Sequence, residues 1–181
     1  VTLNLPGFRD AGRVLFENGL ITGSSGNLSV RLGSNLLITS HGSTLSNLSS
    51  CDLIETSLDD VECPGASWEL PVHRAIYTTT PVLAVAHAHP PCAVALSMQK
   101  SGKHWQGIAV TLDAGEGIIP GAMAGEIAGE LKKHPIVMVR GHGTFITGKT
   151  LDEACRATIA YETECARICR LKHITPAAVK E

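Results

Sequence analysis

Residues 82–91, Val-Leu-Ala-Val-Ala-His-Ala-His-Pro-Pro, constrain what this chain can fold into more than any other stretch. The apolar, partly β-branched run from Val82 to Ala86 reads as a buried strand. Pro90 and Pro91 must end it, because proline offers no N–H to a sheet ladder and disfavours helical geometry in the residue before it. Side chains two apart on a strand share a face, so His87 and His89 aim two imidazoles the same way where the sheet stops. Two such rings can turn nitrogens toward one divalent ion, and that arrangement calls for a third ligand.

His142 is the candidate. It stands between Gly141 and Gly143 after a second buried-strand signal, Pro135-Ile-Val-Met-Val-Arg140, and the glycines let the backbone turn and another group come close. Three histidines with a fourth position open form the ligand set of a catalytic zinc or a similar borderline ion, whereas structural sites are usually closed by four protein ligands. A lone histidine beside an apolar run is more often a hydrogen-bonded core or surface residue. Three together favour metal, since adjacent buried imidazoles otherwise need separate partners.

One domain spanning 1–181 is expected, because 181 residues with 44% hydrophobic content can bury one substantial core. The formal charge of -2 argues against a disordered chain and against the basic face that phosphate backbones require, so no nucleic-acid partner is expected. Six cysteines, at 51, 63, 92, 155, 165 and 169, form no Cys-x-x-Cys pair, and reduced thiols in a cytoplasm fit them. Cys165 and Cys169 sit four apart on an expected helix, where buried packing is a better reading than a metal pair. No basic leader precedes an apolar run in residues 1–7 and no 18 apolar residues occur in succession, so neither export nor membrane insertion is expected. Residues 175–181, rich in proline and alanine, are the one tail-like segment.

Periodicity predicts an α/β architecture. An amphipathic helix is expected from Gly7 to about Gly19, then a turn at 22–27, strands at 28–31 and 35–39 joined as a hairpin, and a polar turn at 40–43. Further strands are expected at 53–56, 82–87, 108–111 and 136–139, with helices at 68–78, 120–133 and 150–171, the last opened by a capping box from Thr150 to Glu153. Such mixing predicts three layers, α/β/α, with a largely antiparallel central sheet flanked by helices.

A metal with three neutral ligands keeps its positive charge and can hold an oxyanion as a carbon-carbon bond breaks, but the chemistry still needs a proton carrier. Glu69 is the candidate, placed by Ser67-Trp-Glu-Leu-Pro-Val-His73 in a first helical turn that tolerates Pro71; an acid complementing the helix dipole is the plainer alternative. His73, four residues on, shares the face of Glu69 and either hydrogen-bonds its carboxylate or packs. Ser25-Gly-Asn27 forms either a cradle of N–H and side-chain donors for an anion or only a turn.

Taken in order, Ser25-Gly-Asn-Leu-Ser29, Glu69 with His73, His87-Ala-His-Pro90 and Gly141-His-Gly143 resemble the class II aldolase/adducin family over nearly the whole chain. The resemblance implies that His87, His89 and His142 bind a divalent metal, usually Zn2+ and otherwise Mn2+, Co2+ or Fe2+, and that Glu69 is the acid/base. It places Asn27, Gly26 and Gly42 around a substrate phosphate, with Ser43 and Ser67 as further substrate contacts, and it implies a homotetramer with active sites between subunits. Two positions depart from the family's sugar-phosphate aldolases, which carry small hydroxyl residues where this chain has Trp68 and His41. A third departure is the missing tyrosine proton donor: Ala109 falls at its place, nearby Asp113 offers no phenol, and the two tyrosines are Tyr77 and Tyr161. The expected function is a metal-dependent lyase that cleaves or forms an aldol bond in a small hydroxy-carbonyl substrate, sugar or sugar-phosphate-like, through a metal-held enediolate. Epimerisation, decarboxylation or dehydration at the same site, a zinc hydrolase, and a non-catalytic adducin-like scaffold are the alternatives.

Overall fold

The Pro90-Pro91 pair stops a strand and starts a helix. The structure, a computed structural model, describes residues 5–60, 62–100, 104–106, 108–114 and 120–178. Residues 1–4 of the single domain expected at 1–181, and 179–181 of the tail, lie outside the described residues. In chain order the elements are α1 (Leu5–Glu17), β1 (Asn27–Leu32), β2 (Asn35–Thr39), β3 (Leu53–Ser57), α2 (Leu70–Thr79), β4 (Ala84–Ala88), α3 (Pro91–Ser97), β5 (His104–Gln106), β6 (Ala109–Leu112), α4 (Ala124–Leu131), β7 (Ile136–Val139), β8 (Gly143–Gly148) and α5 (Leu151–Lys172).

The strands form one sheet in the order β3-β2-β1-β4-β8-β7-β6-β5, antiparallel throughout except between β6 and β7. Alternation along the strands divides the core between the two faces of this sheet. Leu37, Ala84, Ala86, Met138 and Ile146 pack under α1, α3 and α5, while Leu36, Ile38, Val85, Val137, Val139 and Phe145 pack under α2 and α4. The expected three-layer, largely antiparallel arrangement is therefore what forms. Full burial of each Leu, Ile, Val, Met or Phe side chain among them contributes roughly 1.5–3 kcal/mol.

Several elements differ from the periodicity reading. Segment 120–133 divides into a 3-10 turn at Pro120–Met123 and the shorter α4. Helix α2 begins at Leu70, so Trp68 lies outside it and Glu69 occupies its N-cap rather than its first turn. Strand β8 carries glycine at both ends and only two apolar residues, Phe145 and Ile146, between threonines; its place between β4 and β7 makes it a strand. Helix α3 begins on Pro91, whose missing N–H is no loss at the first helical position.

The start of α3 is tied to α5 by one carboxylate. Glu162 accepts the backbone N–H groups of Cys92 at 2.8 Å and Ala93 at 2.9 Å, satisfying donors that the helix leaves without partners. Glu162→Ala is expected to lower unfolding free energy by about 2 kcal/mol, with Glu162→Gln losing less, as read from urea unfolding midpoints.

Candidate functional site

Three neighbouring strands deliver the site in a single row. Across β1, β4 and β8, Asn27 is the register partner of His87, and His87 is the partner of Phe145. His87 ends the apolar strand with its ring stacked on Phe145, centroids 4.4 Å apart. His89 follows one residue past β4 and is held there by its N–H on the Leu20 carbonyl at 2.9 Å. His142 precedes β8 in a turn closed by its own N–H on the Val139 carbonyl, with Gly141 in the left-handed region at φ 68. Gly143 must be glycine: a Cβ there would lie 2.5 Å from both the Ala88 carbonyl oxygen and the His89 ring.

The nitrogens of His87, His89 and His142 that can ligate lie within 4.8 Å of one another. His87 is buried, and its Nδ1 sits 2.9 Å from the Thr144 carbonyl, which can only accept. That contact fixes the proton on Nδ1 and leaves Nε2 as a lone pair. Burial holds the ring well below the ordinary histidine range, the nearby Glu69 carboxylate opposing the shift. The lone pair nevertheless faces His89 Nε2 at 2.9 Å and Glu69 Oε2 at 3.2 Å. Three imidazoles and a carboxylate converging on one point ask for a cation, and the donor set fits a borderline divalent ion such as zinc.

Glu69 is nearly enclosed and its carboxylate is held from three sides. Oε1 lies 3.0 Å from His142 Nε2, Oε2 accepts from Asn27 Nδ2 at 2.7 Å, and Oε2 approaches His87. Burial alone would raise its pKa, but the imidazoles of His87 and His142 and the hydrogen bonds from His142 and Asn27 outweigh it and bring the carboxyl down to about 2. His73 does not reach this carboxylate. Its Nε2 lies 2.5 Å from Asn27 Oδ1 and its Nδ1 lies 2.6 Å from Ser29 Oγ, which in turn meets Tyr77 Oη at 2.7 Å.

These groups open into a cavity of about 290 Å³ lined by the histidines, Glu69, Ser24, Ser25, Gly26, Asn27, Ser40, His41, Gly42, Ser67, Trp68, Pro120 and Gly121. Ser43 does not line it; its hydroxyl donates to the Ser40 carbonyl. Ser67 is at the wall and its Oγ accepts the Glu69 N–H at 3.3 Å. Both ends of the Asn27 amide are engaged by Glu69 and His73. Trp68 is 76% exposed and stacks on His41 with centroids 4.1 Å apart and planes 14° from parallel. Tyr77 and Tyr161 are buried away from the cavity, and neither Ala109 nor Asp113 reaches it.

Ser29 and Tyr77 are site residues that the sequence reading passed over, and the signal for them was present. Asn27 and Ser29 share one face of β1, while Glu69, His73 and Tyr77 recur every four residues along α2 and its cap. Polar residues at both spacings mark two faces that meet.

Comparison with known proteins identifies the family and the fold. Residues 8–169 match the family described as Class II Aldolase and Adducin N-terminal domain. The chain is 31% identical over 169 residues to a 5-methylthioribulose-1-phosphate/5-deoxyribulose-1-phosphate aldolase of Rhodospirillum rubrum, covering 86% of this chain and 76% of that protein. It is 29% identical to a probable bifunctional methylthioribose-1-phosphate isomerase/methylthioribulose-1-phosphate dehydratase of Nocardia farcinica, spanning 91% of this chain but 35% of that longer protein. The crystal structure of L-fuculose-1-phosphate aldolase from Thermus thermophilus superposes with a TM-score of 0.83 at 31% identity, over 92% of this chain and 93% of that one.

Burial brings His73 down from the ordinary 6.5 to about 4, with the Glu69 carboxylate partly opposing the shift. Between those values the unfolded chain binds the proton and the folded one does not, so stability is complete above the unfolded value and falls as pH drops below it. Metal-free protein is therefore expected to lose roughly 1 kcal/mol through this residue between about pH 7.5 and about pH 5.5. Thermal unfolding at both pH values should show a smaller drop for His73→Gln than for the wild type.

Proposed function

Because this chain belongs to the class II aldolase/adducin family, we propose that it is a divalent-metal-dependent lyase acting on a small hydroxy-carbonyl substrate, with His87, His89 and His142 as the metal ligands and Glu69 as the proton carrier. The observation that carries this reading is the buried Glu69 carboxylate, 3.0 Å from His142 and 3.2 Å from His87 at the mouth of the three-histidine cluster. A cation held by the three rings supplies Lewis-acid stabilisation of the oxyanion that develops on the substrate. Thr144 fixes the His87 tautomer through its carbonyl, so that ring offers its Nε2 without rearrangement. Asn27 holds Glu69 Oε2, so Oε1, which meets His142 Nε2 at 3.0 Å here, is the oxygen that would exchange a proton with the substrate once the His142 ring turns toward a cation. Zinc is the ion proposed, in a cytoplasmic homotetramer whose subunits meet around the sites.

The wall of the cavity bears on the substrate. The stacked indole and imidazole of Trp68 and His41 present an apolar, π-rich surface at the rim, where an apolar substituent loses water contact at little cost. The relatives' names carry 5-methylthio and 5-deoxy sugar phosphates, and a substrate of that kind, with one unhydroxylated end, fits this surface. Gly26, Gly42 and Ser67 also line the cavity and are the candidate contacts for its anionic end.

A second reading, dehydration of such a substrate, is favoured by the cavity's lack of a tyrosine among the described residues. Cleavage takes the β-hydroxyl proton, breaks the C–C bond to release an aldehyde and returns a proton to the carbon left behind. Dehydration takes the α C–H proton and delivers one to the departing hydroxyl as water. Glu69 serves the carbon-bound proton in both. Product analysis on one hydroxy-ketone substrate decides between them.

His89→Ala is expected to release the metal, as read by elemental analysis, while Glu69→Gln retains it and loses turnover by about 10²- to 10⁴-fold. Full metal in the His89 variant, or normal turnover in the Glu69 variant, contradicts the assignment. Trp68→Ser should reduce the preference for 5-deoxy or 5-methylthio substrates over hydroxylated analogues by roughly tenfold, measured as a ratio of kcat/KM.

A further inference from the structure

Glu69, His73 and Tyr77 form a stripe along α2 and its cap at four-residue spacing, about 6 Å per step. Asn27 and Ser29 stand on β1 two residues apart, about 6.8 Å. The two repeats nearly match, so the strand's side chains fall between those of the helix and a five-member zipper results: Glu69, Asn27, His73, Ser29, Tyr77. Every link is between 2.5 and 2.7 Å, and Asn27, Ser29, His73 and Tyr77 are all buried.

Only one direction of donation satisfies all of them. An ionised Glu69 accepts and cannot donate, so the Asn27 amide turns its NH₂ to Oε2 and its carbonyl to His73. His73 then carries its proton on Nε2, and the neutral ring is left with a lone pair on Nδ1. Ser29 gives its O–H to that lone pair and accepts in turn from the Tyr77 hydroxyl. The carboxylate thus dictates the orientation of an amide, a tautomer and two hydroxyls reaching deep into the core.

We propose that this one-way zipper is a positioning device for the proton carrier, with His73 as the residue that anchors the far end of the Asn27 amide and so holds its N–H in place on Glu69. Packing alone does not account for it. Four buried polar side chains at a helix–sheet contact cost desolvation that leucine and alanine would avoid, and such arrays hold orientation rather than add stability. Without the His73 N–H, the Asn27 carbonyl loses its donor and the amide keeps only its bond to Oε2, so amide and carboxylate can swing together away from the set position. His73 does not line the cavity and reaches Glu69 only through Asn27, so its effect travels through that amide.

This inference rests on the reading of Glu69 as proton carrier, and the test separates the two. Zinc-loaded protein is assayed for exchange of the α-protons of hydroxyacetone into D₂O by ¹H NMR, while ¹⁵N NMR of labelled histidines reports the His73 tautomer without any substrate. Wild type is expected to show His73 neutral and protonated on Nε2. His73→Leu should keep its zinc and lose about 10- to 100-fold in exchange rate. His73→Gln should recover most of that loss, because one amide can donate to Asn27 and accept from Ser29 as the imidazole does. Ser29→Ala, which leaves the packing in place, should lower the rate in the same direction by a smaller factor and be informative even if the leucine variant does not fold. A leucine variant within twofold of wild type, a glutamine variant no better than leucine, or an Nδ1-protonated His73 overturns the proposal. No exchange by zinc-loaded wild type with His73 still protonated on Nε2 overturns instead the role of Glu69, and with it the purpose of the zipper, while its hydrogen-bond order stands.

Discussion

The register of β1, β4 and β8 is the constraint on which the rest of the structure depends. It sets Asn27, His87 and Phe145 side by side on the face that α2 covers. A slip of one residue on any of the three strands would send its member of the row to the opposite face, because side chains alternate with a period of two. A slip of β4 would put His87 where Ala86 or Ala88 now packs, on the face that carries Ile146 and Met138 and away from Glu69. The antiparallel ladders on both sides of β4 and the two different apolar cores above and below the sheet make that slip costly, so the position of one imidazole is secured by dozens of apolar contacts far from it.

Around that row, polar groups are arranged so that each fixes the next. The Thr144 carbonyl determines the tautomer of His87, and Glu69 determines the orientation of Asn27 and, through it, of His73, Ser29 and Tyr77. In both cases the fixing group can only accept hydrogen bonds, and this is why the result is a single orientation. The same enclosure that raises the cost of charge makes the electrostatics of the cluster strong: a carboxylate held ionised among three imidazoles is a site prepared for a cation and for proton transfer. Gly143 serves the same end by steric means, since any side chain there would occupy the space of the His89 ring.

Family membership, the three-layer fold and the ordered histidines agree, and the differences lie at the rim. Trp68 and His41 stack at the cavity mouth, on loops that precede α2 and follow β2 and that the sheet holds in place without dictating their residues. A lyase site of this kind can therefore keep its reacting centre while the rim selects the substrate.

Much of the site was legible from the sequence because its signals are local. The His-x-His at a strand end, the Gly-His-Gly turn and the carboxylate before a proline-tolerant helix start depend on residues within a few positions of each other, and the apolar periods of α1, α5, β2 and β7 follow from neighbours alone. Strand β8 was not legible, since Gly143-Thr-Phe-Ile-Thr-Gly148 carries too little apolar alternation and owes its extended form to the strands that flank it. Nor was the bearing of His73: spacing along the helix points it at Glu69, but β1 places Asn27 between them and takes its hydrogen bond. What the sequence determined by itself was which residues can bind a metal and move a proton, because side-chain chemistry and short-range backbone preference travel with the residue. What the tertiary structure decided was which of them meet, in what tautomer and with which oxygen left available, because those depend on the register between segments more than 40 residues apart.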